Sequence, residues 1–200
     1  MSYLSDREIE HAIAEGLLRI DPPPTPAQFS PCGIDLCLGA SVWRPPDPAT
    51  GYEMNPSSIK ARPQDVFPEE SIATGHYDLK PMEFMLGETF ERVTIAPQAE
   101  LIGFIEGRSG VARHGLLVHC TAPIVQPGWS GPIALELVNL GKYSLPLRAR
   151  DGICQMVFAR LGTPTGRPYS SQAHQQPGFD RGNGKGTPAA PRVWYDRPGA

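Results

Sequence analysis

Residues 116–141, LLVHCTAPIVQPGWSGPIALELVNLG, decide the fold. Leu116, Val118 and Cys120 recur at the two-residue period of a β-strand, and so do Ile133, Leu135 and Leu137. The turn-forming PGWSG at 127–131 lies between the two runs, so the stretch reads as strand, turn, strand. Within IALEL, Glu136 stands between two leucines, and alternation puts it on the face opposite both. That face is either the solvent side of an antiparallel sheet, with Glu136 a plain surface acid, or the wall of a pocket.

The same period continues on both sides. Upstream, Ile34, Leu36 and Leu38 alternate with Asp35 and Cys37. Met82, Phe84 and Leu86, then Val93 and Ile95, then Leu101, Gly103 and Ile105, form further groups with turn residues between them. Downstream, Ile153, Gln155 and Val157 follow an ARDG turn at 149–152. Little helix is expected, because 21 glycines and 23 prolines break helices and favour short strands joined by turns. Ser5 and Glu8 make a capping-box pattern ahead of Ile9, Ile13 and Leu17, which predicts one short peripheral helix. GRSGVARHG from Gly107 suits one or two helical turns capped by Ser109. Pro22 to Pro31 reads as a Pro-rich turn, and residues 45–75 as a long surface connection with one strand piece. After Arg160 the apolar period is lost and Gly, Pro and Gln dominate, as in a flexible tail. The expected organisation is an all-β domain over residues 1–161 with a short N-terminal helix, followed by a tail over 162–200.

Composition excludes several functions. Eighteen Lys and Arg against 21 Asp and Glu leave a formal charge of -3, without the basic excess that a nucleic-acid polymer requires. No apolar run approaches the eighteen or so residues that span a bilayer. Cys32, Cys37, Cys120 and Cys154 contain no C-x-x-C pair, and the N-terminus lacks the order of a secretory signal, so a cytoplasmic protein with reduced thiols is expected. Zinc deaminases carry H-x-E and P-C-x-x-C, and neither occurs here. His11, His76, His114, His119 and His174 show no H-x-x-x-H spacing, so no protein-bound metal is expected. Ser109 in G-R-S-G lacks the glycine placement of a hydrolase nucleophile elbow.

Residues 107–161, from GRSGVARHG through the DGICQMVFARL strand, resemble the core of the dCTP deaminase branch of the dUTPase-like family. LSDREI from Leu4, IDPPP from Ile20 and GIDLCLG from Gly33 resemble that family's opening helix and first strand, in the same order. The resemblance implies a distorted dUTPase-like β-barrel or β-clip. It also implies a homotrimer with active sites shared between subunits, a deoxycytidine nucleotide as partner, and hydrolysis of dCTP to dUTP and ammonia. Arg108, Ser109 and Arg113 match the G-R-S-S-x-x-R segment that meets the nucleotide and its phosphates at a subunit boundary. Glu136 matches the proton shuttle, while Thr121 and Ala122 match a turn whose backbone holds the attacking water. Arg167, Pro168 and Tyr169 match the R-P-Y that closes over the base; Gly110, Gln126, Trp129, Ala134, Leu135 and Gln175 complete the implied nucleotide contacts.

The chemistry suits these groups. Water attacking C4 of cytosine needs a base to take its proton, and N3 and the departing amine need an acid; one glutamate can serve as both. Partial burial would favour its neutral acid, and a nearby Arg113 would favour the carboxylate. Arg108 offers a planar donor fork to phosphate, Ser109 would orient the water, and magnesium would travel with the triphosphate substrate. The departures bear on activity. Gln126 stands where relatives carry an aspartate, and an amide cannot act as the base of pyrophosphate cleavage, although it still hydrogen-bonds a sugar hydroxyl. Gly110 replaces a serine, Pro123 and Ile124 replace a polar pair, and the tail motif is reduced to AHQQPG, with the glycine-rich run around Lys185 reading either as flexible tail or as a substitute phosphate contact. Two alternatives therefore stand beside the deaminase: a nucleotide-binding regulator without turnover, and a dUTP diphosphatase.

Overall fold

The computed structural model describes residues 2–46 and 67–169. Helix α1, Asp6–Ala14, begins at the expected capping box: Ser5 Oγ accepts from the Glu8 amide at 3.4 Å and Glu8 Oε2 accepts from the Ser5 amide at 3.0 Å. Ile9 and Ala12 are its buried residues. The helix stops at Ala14, so Leu17 lies beyond it rather than on its third turn, and Gly16 with φ 70° reverses the chain. The Leu4 amide donates to Phe158 O at 2.9 Å and Arg160 Nη2 donates to Glu8 Oε1 at 3.0 Å, which ties this end to the last strand.

The strands in chain order are β1 Leu18–Asp21, β2 Phe29–Ser30, β3 Gly33–Trp43, β4 Glu69–Ser71, β5 Tyr77–Leu79, β6 Phe84–Ile95, β7 Leu101–Gly107, β8 Leu116–Leu117, β9 Ile124–Val125, β10 Ser130–Asn139, β11 Leu145–Leu147 and β12 Gly152–Arg160. Every pairing is antiparallel. The main sheet runs β8-β10-β6-β3-β12-β7-β9, with β1 added to β6 and β2 and β4 added to β3; β11 and β5 form a separate pair. It curls into a half-barrel around one core that includes Ile34, Leu36, Leu38, Met85, Val93, Leu135, Leu137, Met156 and Phe158. Register shifts in β3, β10 and β12 mark where the strands bend. Among the described residues no helix is long and apolar enough to cross a membrane.

Several local readings are corrected. β6 is one twelve-residue strand, not two runs parted by a turn. Its Glu91 is buried at 3% exposure, and its carboxylate accepts from Gln28 Nε2 at 3.0 Å and the Cys37 amide at 2.8 Å, so a charge that looks like loop is satisfied inside the sheet. Met82 is outside the strand, exposed, with φ 63°. β1 escapes the alternation reading because four residues between a helix end and a Pro-rich turn carry almost no period. β8 covers only Leu116 and Leu117, leaving Val118 and Cys120 in irregular chain. Of the 45–75 connection, residues 47–66 lie outside the described residues, and among those described β4 is a strand piece.

Burial holds several weak acids of this fold in their neutral form. Burial first, then Glu91, pushes the Cys37 thiol from an ordinary 9.0 up to about 11. Burial first, then the Glu83 carboxylate that accepts its hydroxyl, pushes Tyr77 from 10.0 up to about 12. Burial places the Cys154 thiol well above the usual range. A raised folded value means that the folded state holds its proton longer, so the stabilisation is complete below the unfolded value and is lost as pH rises through the folded one. Melting followed by circular dichroism is therefore expected to show a steep fall in Tm that begins near pH 9 and continues toward 12. An unchanged Tm from pH 8 to 11.5 would contradict these assignments.

Candidate active site

Glu136 occupies the middle of β10, where Leu135 and Leu137 are fully buried in the core and Glu136 is half-buried on the other face. Its partner across the ladder is Leu86 of β6. Leu86 belongs to a second small apolar cluster with Trp43 and Phe67, against which Phe84 and Ala134 pack. Glu136 thus shares its face with this cluster instead of standing alone on an open surface. Its Oε2 accepts from the amides of Cys120 at 2.6 Å and Thr121 at 3.4 Å, and its own amide donates to Val118 O at 3.1 Å. A carboxylate oxygen bonded to backbone donors is fixed in direction, which a proton carrier needs. The 116–122 segment and the acid are therefore one unit, with Ala122 exposed at its end. Ala134 lies two residues before Glu136 on the same face; Leu135 points into the core, which leaves only its backbone to a ligand.

A second centre surrounds Arg108. Helix α2, Ser109–Ala112, has Arg108 rather than Ser109 at its N-cap; Ser109 is its first helical residue and makes no side-chain cap. Arg108 Nη2 meets Asp35 Oδ2 at 2.8 Å, and Nη1 donates to Gly152 O at 3.0 Å. Ser109, Gly110 and Arg113 are exposed on the same short helix and its end, and Gly110 O is bonded to His114 Nδ1 at 2.9 Å. A cleft of about 390 Å³ behind α2 is lined by Val111, His114, Leu147, Arg148 and Ile153 among others, and touches Gly110 but not Glu136.

The third group gathers at the PGWSG turn. Gly128, at φ 91°, permits the turn in which the Trp129 amide donates to Gln126 O at 3.1 Å. The Tyr169 amide donates to Pro127 O at 2.7 Å, and the Tyr169 ring lies 5.3 Å from that of Trp129. A β-carbon on Gly128 would run into the Tyr169 backbone. Gln126 is exposed beside this contact, as are Arg167 and Pro168; Gln175 and Lys185 lie outside the described residues.

Within one chain Arg108 is bonded to Asp35 and Gly152, and Glu136 to residues 120–121. Three partners of this arrangement are not legible as site residues. Asp35 reads as the polar half of an alternating strand, and Gly152 as a turn residue. Cys120 contributes through its amide, which no side-chain pattern announces. Its thiol is shifted upward by burial first and then by Glu136, so it stays protonated at neutral pH.

Residues 3–161 match the model of the dCTP deaminase-like family. The dCTP deaminase of Idiomarina loihiensis is 35% identical over 174 residues, 84% of this chain and 88% of that protein. The dCTP deaminase of Rhodospirillum rubrum is 37% identical over 178 residues, 84% and 87% of the two chains. The dUMP-forming dCTP deaminase of Methanothermobacter thermautotrophicus is 37% identical over 177 residues, 84% of each. The crystal structure of a dCTP deaminase from Agrobacterium tumefaciens superposes with a TM-score of 0.61 at 19% identity, covering 80% of this chain and 48% of that one, a likeness of fold.

Proposed function

This chain belongs to the dCTP deaminase-like family, and we propose that it hydrolyses dCTP to dUTP and ammonia with Glu136 as the proton shuttle. The observation that carries this reading is the half-buried Glu136 carboxylate, aimed by the Cys120 and Thr121 amides beside a small apolar cluster. Oε2 is committed to those donors, and Oε1 is the oxygen that exchanges protons. It takes one from the attacking water and delivers it to N3, and the second proton of that water leaves with the amine as ammonia. The Thr121–Ala122 backbone and Ser109 hold the water, while Arg108 and Arg113 meet the phosphates of a magnesium-bound triphosphate. Gln126 hydrogen-bonds the sugar, Ala134 and the Leu135 backbone border the pyrimidine, and Tyr169, its ring tilted against that of Trp129, closes over it.

The reading takes the homotrimer that the family resemblance implies, in which neighbouring subunits complete each site. A free nucleotide substrate and four unpaired cysteines support a cytoplasmic location. An assay of dCTP, dCMP and dUTP, read for ammonia and pyrophosphate together, tests it. Ammonia from dCTP without pyrophosphate is expected, since Gln126 cannot act as a base for the second hydrolysis. Binding of dCTP without ammonia would favour a regulator instead, and pyrophosphate from dUTP would favour a diphosphatase.

A further inference from the structure

The Arg108 guanidinium is held on two sides. Nη2 is bonded to Asp35 Oδ2 at 2.8 Å and Nη1 to Gly152 O at 3.0 Å, which uses two of its five N–H donors and leaves three. Asp35 is itself held: Gln155 Nε2 donates to Asp35 Oδ1 at 3.3 Å and to Ser30 Oγ at 2.9 Å, and Ser30 Oγ donates to Gly33 O at 3.2 Å. The side chains of Asp35 and Arg108 are 21% and 38% exposed, so the pair is shielded more than an ordinary surface bridge. On the Gly152 side the fit depends on a missing atom, because a β-carbon there would fall on Arg108 Nη1. Gly152 has no left-handed φ, so what keeps this position bare is the arginine and not the backbone.

We infer that Asp35 and Gly152 are positioning residues that seat the Arg108 guanidinium in advance for the phosphates of the nucleotide, an inference that rests on the deaminase reading above. A long side chain that is already ordered loses less freedom on binding, worth about 3- to 10-fold in affinity. Asp35 and Gly152 together fix the plane of the fork, so each remaining donor has a set direction. Arginine suits this task because its donors are coplanar, and a lysine in the same seat would present one point charge.

Two variants disturb the seat from opposite sides. Asp35→Asn removes the charge and keeps the shape. Gly152→Ala adds a β-carbon whose only serious clash is with the far end of a flexible side chain, so the fold tolerates it and Arg108 moves. Both are expected to raise KM for dCTP about 3- to 10-fold with kcat within about twofold. They are expected to leave deoxycytidine turnover unchanged, and to add nothing in an Arg108→Ala background. In ¹⁵N arginine spectra the Arg108 Nη signals should be distinct in the wild type and averaged in both variants. Wild-type KM in both variants, equal losses on dCTP and deoxycytidine, or additivity with Arg108→Ala would overturn the role. If the wild type fails to turn over dCTP, the deaminase reading falls; Nη signals averaged alike in all three proteins would overturn the seat itself, whatever the activity.

Discussion

Glu136→Gln is expected to lower ammonia release from dCTP by about 10²- to 10⁴-fold, the range that a positioned proton carrier contributes. The amide keeps the size of the side chain, and its oxygen can still accept from the Cys120 and Thr121 amides. The Glu136 amide bond to Val118 O belongs to the backbone and is untouched. Replacing a charged acceptor with a neutral one costs about 1 kcal/mol, so Tm should fall by only about 2–4 °C. The variant therefore separates chemistry from folding: dCTP affinity near that of the wild type, a near-native melt, and almost no ammonia. Full turnover by this variant would remove Glu136 from the reaction, and the deaminase assignment would then need a proton carrier from another element, since β10 holds no second ionisable side chain.

What the sequence reveals about this site follows the range over which each signal acts. The position of Glu136 was legible because a two-residue period over Ile133, Leu135 and Leu137 forces it onto the opposite face. The period could not say what covers that face, since Trp43, Phe67 and Leu86 come from β3, the β4 approach and β6. The capping box at Ser5 and Glu8 is equally local, and it starts the helix where the pattern places it. The charges in β6 misled, because Glu91 is satisfied by Gln28 and Cys37 from distant chain, contacts with no trace in the residues beside it. The seat of Arg108 is of the same kind: Asp35 and Gly152 sit on paired strands far apart in sequence, and a glycine that makes room for a guanidinium looks like any turn glycine. The family resemblance supplied the roles of Ser109, Arg113 and Ala122, which no period or spacing in this chain would have singled out.

Gly115→Ala is expected to be a strongly damaging single-methyl change close to the site. Gly115 follows α2 at φ 96°, a conformation that costs a residue with a side chain about 1–2 kcal/mol. Its new β-carbon would also stand 2.7 Å from Gly141 Cα and closer still to the Gly141 nitrogen, a clash with backbone that no rotamer change relieves. The opposing turn is not free to retreat. Asn139, fully buried, donates through Nδ2 to Leu79 O and Tyr143 O, each at 2.8 Å, and its Oδ1 accepts from the Gly141 amide at 2.8 Å. The Leu140 amide adds a bond to Gly115 O at 2.8 Å. Strain and overpacking together predict a loss of about 3 kcal/mol, or about 6–12 °C in Tm for a domain of this size. The damage reaches the chemistry, because the chain leaving Gly115 forms β8 against Val138 and Asn139 and then supplies the Cys120 and Thr121 amides that aim Glu136. Ammonia release should fall with stability. Gly110→Ala is the control for Tm: its β-carbon meets nothing within 4 Å and lies in a helix, so the melt should stay level or rise by the equivalent of about 0.5–1 kcal/mol. Equal melting of the two variants would mean that the approach of residue 115 to residue 141 is looser than described, and that the donors of Glu136 are not fixed from this side.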